Sequence, residues 1–312
     1  MHIAILGAGG MVGSKLANRI SQGALGEASM TLIDQLAPAE IPGARSLSLD
    51  LTAQGAAQAV ADLGADVVVH LAAVPSGGAE ADFDLGYAIN LDFACALAEA
   101  LRHATGQTRL VFSSTCAVYG PPFPTPVPED FRPCPASSYG THKAMAELLF
   151  ADYTRKGFLR ATSLRLPTVS IRPGAPNAAA SGFLSGILRE PLHGLEATLP
   201  VGEDIAAWIA SPNVTVEGLL QIIRVDWERI ADPNPINLRG FRVSVAEMLD
   251  GLERAAGPEA RALVKFRPDA EITRLVTSWP VSLITNRAER LGFPGNTGID
   301  QVIEEYRSEY LV

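Results

Sequence analysis

The chain has 312 residues, of which 47% are hydrophobic and 19% charged, and its formal net charge is -9. That length suits one large α/β unit, or a nucleotide-binding domain with a smaller appendage. The acidic balance argues against nucleic acid, which demands a dense Lys/Arg footprint, but leaves open anionic metabolites that need only one or two local cations. Cys95, Cys116 and Cys134 are odd in number and form no C-x-x-C pair. They read as reduced thiols rather than a disulfide framework or a metal site, so no metal is expected. The first strand begins at Met1, leaving no room for a signal peptide, and no apolar run approaches the roughly 20 residues of a membrane span. The expectation is a cytoplasmic protein with no membrane or nucleic-acid partner.

In chain order, the first element is the strand "HIAIL" (2–6), followed by "GAGGMVG" and the helix "VGSKLANRIS". Gly7, Gly10 and Gly13 form G-x-x-G-x-x-G, with Met11 and Val12 inside it. The first glycine permits a tight turn, the second lets a pyrophosphate approach the backbone, and the third lets helix and strand pack closely. The strand "MTLID" (30–34) ends about 20 residues later on Asp34, placed to accept hydrogen bonds from an adenosine ribose. A carboxylate there repels a 2′-phosphate, so NAD is expected over NADP. After "SLSL" (46–49), Asp50, with Leu51 beside it, either meets the adenine or caps the next helix, "AAQAVADLG".

The run "DVVVHLAA" (66–73) predicts a strand, "NLDFACALAEALRHA" a helix and "RLVFSS" (109–114) another strand. Continuously apolar runs of this kind suit parallel strands covered on both faces. Alternation of strand and helix implies a doubly wound, Rossmann-type sheet with right-handed crossovers. The stretch "FSSTCAVYG" (112–120) lies at the carboxyl edge, where ligands of open α/β sheets bind, and Ser113, Ser114 or Thr115 could hold a reacting oxygen there. The Pro-rich 120–138 is read as a loop. It leads into a helix bearing Tyr139 and Lys143, one turn apart and on one face. The chain has only four lysines, Lys15, Lys143, Lys156 and Lys265. An exposed helix face would accept either cation, whereas an ammonium beside a tyrosine favours the phenolate and lowers its pKa. The compact ammonium also suits a ribose better than a planar guanidinium.

"ATSLRL" (161–166) is the last regular strand before the rhythm breaks near residue 170. Beyond it come the loop "RPGAPNAAASG", the helix "FLSGILREPLHG", a strand in "NPINLRG", the helix "VSVAEMLDGLERAAG", an irregular 265–284 and a closing helix, "IDQVIEEYRSEYL". The division expected is a sheet domain over 1–170 and a mainly substrate-binding, interleaved region over 171–312. Segments of about 214–255 are expected to return to the sheet domain.

The glycine loop, "HLAA" (70–73), "SSTCAVYG" and Tyr-x-x-x-Lys together resemble the extended short-chain dehydrogenase/reductase family, that is, the NAD-dependent epimerases and dehydratases, over essentially the whole chain. The resemblance implies NAD as cofactor and Thr115, Tyr139 and Lys143 as the catalytic set. It implies further cofactor contacts from Leu71, Ala72, Ala73, Asn90, Pro167 and Val169, and dimers built from two helices per subunit. His70 reads as structural. Nucleotide-sugar members read R-x-x-N-x-x-G-P after the sixth strand, where this chain has "RLPTVSIR", with Thr168 for the asparagine and Ile171-Arg172 for Gly-Pro. Their later diphosphate-binding arginine is matched by Ala206 in "AAWIASPN", and a lost charge-assisted phosphate contact disfavours that branch. "RPGAPNAAASGFLSGILREPLHGLEATLPV" and "VTSWP" (276–280) look like the D-erythronate dehydrogenases. That likeness implies oxidation of a small hydroxy acid at C2, D-erythronate to 2-oxo-tetronate. Ser76, Arg172, Asn177 and Arg189 are then candidate substrate contacts beside Thr115 and Tyr139. The alternatives are a nucleotide-sugar epimerase or a non-catalytic NAD-sensing regulator, the latter at odds with an intact Thr115, Tyr139 and Lys143.

Overall fold

The computed structural model describes residues 1–104, 106–175, 179–230 and 232–311. Its strands are β1 (His2–Leu6), β2 (Ser29–Asp34), β3 (Ala44–Ser48), β4 (Val67–His70), β5 (Arg109–Thr115), β6 (Arg160–Leu166), β7 (Thr168–Val169), β8 (Ala197–Leu199), β9 (Ala206–Ala210), β10 (Ile236–Asn237), β11 (Phe241–Ser244) and β12 (Val264–Phe266). The helices are α1 (Met11–Ser21), α2 (Ala56–Ala61), α3 (Ser76–Ala81), α4 (Phe83–Tyr87), α5 (Phe93–His103), α6 (Ser138–Arg155), α7 (Phe183–Leu192), α8 (Pro212–Arg224), α9 (Trp227–Ile230), α10 (Val245–Ala262), α11 (Ala270–Val276), α12 (Asn286–Arg290) and α13 (Ile299–Tyr310).

Seven parallel strands form the main sheet in the order β10-β6-β5-β4-β1-β2-β3. The chain leaves β1 toward β2 and β3, then crosses back to lay β4 on the other side of β1. The loop after β1 therefore sits where the order reverses, which is where open α/β sheets bind ligands. One face is covered by α1 and α8, whose Leu16, Ile20, Leu219 and Ile222 share a core with Ile3, Ile5 and Val69. The other is covered by α2, α5 and α6 through Val60, Leu97, Leu101 and Phe150. Burial on both faces accounts for the uninterrupted apolar runs in the sequence.

A second core joins α7, α10 and α13 to the three-stranded sheet β11-β9-β7 through Ile187, Ile209, Met248 and Ile303. A short pair, β12-β8, lies beside it. Helices α8 and α9 and strand β10 pack on the main sheet together with Ala288, Leu291 and Phe293, whereas α10 packs in the second core. Two expectations change in detail. The strand expected over 66–73 stops at His70, because the following backbone peels away to meet Gly7 and Asn90. The region expected to be irregular over 265–284 contains β12 and α11; Asp269 caps α11 by accepting from Glu271 N and Ile272 N.

Candidate active site

The glycine loop is shaped for close approach. Gly7 has φ +82°, and a Cβ there would lie 2.6 Å from Ala72 N. A Cβ on Gly13 would lie 2.2 Å from Gly7 O, so helix and strand meet only without a side chain. Gly10 caps α1 with no side-chain hydrogen bond, which leaves the first-turn amides to an anion. Asp34 holds the loop's outer edge, accepting from Gly9 N at 2.9 Å and Gln35 N at 2.8 Å. This combination of bare helix N-terminus, uncrowded loop and acid at the end of β2 fits a dinucleotide with free ribose hydroxyls.

From the loop a cleft of about 300 Å³ runs toward the second core. It is lined by Gly7, Gly10, Met11, Val12 and Gly13, by Leu71, Ala73, Pro75 and Ser76, by Ser113 to Ala117, by Tyr139, and by Leu166 to Val169 with Arg172, Ala179, Ser181 and Trp279. Most residues expected from the sequence are thus brought together. Asp34, Asp50 and Leu51 lie outside this lining, toward the ends of β2 and β3. Asp50 accepts from Thr52 N and Oγ1 at 2.9 and 2.8 Å, and these bonds hold its carboxyl below the ordinary range. The helix that follows is capped by Gly55, so the capping alternative for Asp50 is not realised.

Asn90 acts from behind the wall. It is buried, accepts from Val74 N at 2.9 Å and donates to Val74 O at 3.0 Å, which fixes the strip Leu71–Pro75. His70 is fully buried between Phe93 and Phe112, as a structural side chain, and burial holds it down to about 3, with Lys143 acting in the same direction.

Thr115 ends β5, and its Oγ1 accepts from Ala117 N at 3.1 Å. Ser137 caps α6 by accepting from Gly140 N at 3.2 Å. A Cβ on Gly140 would lie 2.2 Å from Ala117 O, so the start of α6 is pressed against the end of β5, with Tyr139 over Thr115. Lys143 is 1% exposed; Nζ donates to Ser113 O at 2.8 Å and lies 4.3 Å from the Phe112 ring centroid.

The electrostatics correct one expectation. The ammonium of Lys143 was expected to lower the Tyr139 phenol, but burial pushes that phenol up to about 12, Cys116 adding to the push. The groups that pull it back are Arg172 and the Thr115 hydroxyl. Nζ lies 5.9 Å from the Tyr139 ring centroid and is committed to Ser113 O. Burial also holds Lys143 itself down to about 7, against the opposing pull of Glu147.

Of the candidate substrate contacts, Ser76 and Arg172 line the cleft. Asn177 lies outside the described residues. Arg189 does not line the cleft; it donates to Arg172 O at 2.8 Å and pairs with Glu190 at 2.5 Å, so it braces Arg172. Arg172 donates from Nε to Val169 O at 3.0 Å and from Nη2 to Ser181 Oγ at 2.8 Å. Among the described residues it is the only charged side chain in the cleft lining, and no carboxylate pairs with it. Sequence reasoning missed Ser181, Cys116 and Trp279 as lining residues; "VTSWP" marked the last without showing its place. No group of three or more His, Cys, Asp or Glu among the described residues is placed to hold a metal ion. Nor is any helix among them long and apolar enough to cross a membrane.

A parallel sheet with a glycine loop at its switch point and a Tyr-x-x-x-Lys helix beside it defines a short-chain dehydrogenase/reductase architecture. Residues 3–212 match the model of the NAD dependent epimerase/dehydratase family, and the chain belongs to that family. It is 40% identical to a D-erythronate dehydrogenase of Cupriavidus necator, covering 99% of this chain and 98% of that protein. It is 36% identical to a D-erythronate dehydrogenase of Haemophilus influenzae, covering 98% of each. A solved structure described as a nucleoside-diphosphate-sugar epimerase from Agrobacterium tumefaciens is 43% identical with a TM-score of 0.94, covering 100% of this chain and 94% of that one.

Proposed function

We propose that the protein oxidises a small 2-hydroxy acid with NAD, D-erythronate to 2-oxo-tetronate. The observation that carries this reading is the lone cation Arg172 in the same cleft as Tyr139, near enough for its charge to act on the phenol. A carboxylate bound to Arg172 leaves the adjacent carbon, C2, beside Tyr139. Thr115 and Tyr139 hold the C2 hydroxyl, and Tyr139, as the phenolate that Arg172 and the Thr115 hydroxyl favour against burial, accepts its proton as the C2–O bond becomes a carbonyl. Bound NAD supplies the hydride acceptor, held by the glycine loop, Met11, Val12, Leu71 to Ala73, Pro167 and Val169, with Asp34 at the adenosine ribose and Asp50 and Leu51 toward the adenine. Lys143, buried beneath Ser113, serves the nicotinamide end through its charge, and Ser76 serves the substrate side.

The kinship with the two D-erythronate dehydrogenases supports this substrate. A nucleotide-sugar reading draws on the A. tumefaciens structure. Against it, Arg172 is the only cation among the described lining residues, and Ala206, not arginine, opens β9, so a charge-assisted contact to a sugar diphosphate is missing there. The deciding assay follows NADH absorbance while purified protein and NAD are offered four- to six-carbon aldonic acids. D-Erythronate is expected to be turned over fastest. Silence with every aldonic acid, together with a raised Tm in a UDP- or dTDP-sugar, would overturn the proposal.

The same reading includes a cytoplasmic homodimer, and a division into an NAD-binding domain and an interleaved substrate region. Phe83, Leu85 and Tyr87 on α4 and Met145 and Leu148 on α6 are exposed, Leu148 at 67%. His142 on α6 packs against both Phe83 and Tyr87, which makes these residues one apolar face. Light scattering should report a dimer, and Leu148→Glu a monomer.

A further inference from the structure

Behind the cleft floor lies a buried ion pair that the proposed chemistry does not yet use. Glu147 sits one turn beyond Lys143 on the same face of α6, and it and Arg165 of β6 are 2% and 3% exposed. Arg165 grips the carboxylate as a fork, Nε to Oε1 at 2.9 Å and Nη2 to Oε2 at 2.7 Å. Ser114, which lines the cleft, donates to Oε1 at 2.5 Å. Arg165 Nη1 donates to the Tyr119 hydroxyl at 2.5 Å, Tyr119 donates to Asn237 Oδ1 at 3.0 Å, and Asn237 Nδ2 donates to Ile284 O at 3.1 Å. The carboxylate is therefore fixed in place from β5 and β6, and its guanidinium from β10 and the loop before α12. Buried pairs of this kind seldom add stability over apolar residues of the same size, since desolvation consumes the attraction. A role in the charge balance of the site accounts for it better.

The groups around Lys143 narrow that role. On α6 it meets Tyr139 and Glu147; from β4 it meets His70, whose ring nitrogens are buried without partners and which stays neutral. Arg165 is turned onto Glu147, while Cys116 and Arg172 act on Tyr139 rather than on the lysine. Glu147, buried one turn along α6 from Lys143, is the carboxylate whose charge favours the protonated lysine.

We propose that Glu147 is a positioning residue whose carboxylate, locked by Arg165, holds the positive charge on Lys143. This rests on the reading of Tyr139 and Lys143 as the reacting pair, but its test does not depend on turnover. With four lysines in the chain, isotope labelling at lysine Cε gives four resonances, and Lys143→Arg identifies that of Lys143. In Glu147→Gln the titration midpoint of Lys143 should fall by about one pH unit or more, a tenfold loss of proton affinity. Glu147→Asp should restore most of it, and the alkaline limb of the kcat profile should move with the resonance. Glu147→Gln strands a buried guanidinium, so Glu147→Gln/Arg165→Gln, which removes both charges, carries the test if the single variant does not fold. An unmoved Lys143 midpoint in either folded variant would overturn the proposal. A moved midpoint in a protein that oxidises no hydroxy acid would uphold it while sinking the substrate reading.

Discussion

Replacing Lys143 by methionine isolates what its burial costs. Burial moves the ammonium from the ordinary lysine value of 10.5 to about 7, a difference on the order of 5 kcal/mol between charged and neutral forms. Methionine has a similar length and no charge to desolvate. The change also removes the hydrogen bond to Ser113 O and the contact with Phe112, which offset the gain by about 2–3 kcal/mol. Below pH 7 both folded and unfolded wild-type chains carry the proton, so the penalty is present in full and Lys143→Met should be the more stable protein by roughly 2 kcal/mol. Between pH 7 and 10.5 the unfolded chain holds a proton that the folded chain has shed, so wild type gains on the variant as pH rises. By pH 9 that gain should reach about 3 kcal/mol, enough to cancel or reverse the order. Urea unfolding of both proteins at pH 6, 7, 8 and 9 measures the difference directly. A gap that stays constant across that range would mean that Lys143 is not held down by burial, and the reasoning would fail.

Five further substitutions probe the site. Tyr139→Phe should leave NAD affinity nearly unchanged and lower kcat by about a hundredfold or more, measured by NADH formation and cofactor titration; Lys143→Arg should also fail, since the cavity of Lys143 is fully buried and shaped for an ammonium. Arg172→Ala should raise KM for the hydroxy acid at least about tenfold, about 1.4 kcal/mol, at unchanged NAD affinity. Arg189→Ala should act more weakly and through Arg172, because it touches that residue's carbonyl rather than the cleft; a larger effect from Arg189 would reverse the assignment. Asp34→Ala should narrow the preference for NAD over NADP in kcat/KM, and equal use of both by the unmodified protein would remove Asp34 from the ribose.

The sheet was legible because parallel strands covered on both faces must be written as apolar runs, and "HIAIL" and "RLVFSS" leave little else to be. "DVVVHLAA" misled at its end: Leu71 and Ala72 are as apolar as the strand before them, yet their backbone serves the glycine loop, a constraint set by a segment more than 60 residues away. Short elements such as β12 and α11 carry too few turns or alternations for periodicity to register. At the site, Tyr139 and Lys143 were visible from spacing alone, and so in principle was Glu147, four residues further on. The sign of the Tyr139 shift was not visible, because it depends on how much water three different elements exclude. Arg172 lines the cleft while Arg189, on α7, donates to its carbonyl, a difference set by how α7 packs and not written in local spacing.

The threading of the two cores bears on how such a protein can change its substrate over time. The chain builds the main sheet, leaves it for β7 to β9, returns as α8 to β10, leaves again for α10 and returns once more at α12. A cut after β9 would strip α8 from the sheet face it shares with α1 and expose Leu219 and Ile222. The second core therefore cannot be exchanged as one continuous segment without uncovering the first. Substitutions confined to Thr168, Arg172, Ser181 and Trp279 would reshape the cleft wall while leaving the face shared by α1 and α8 packed.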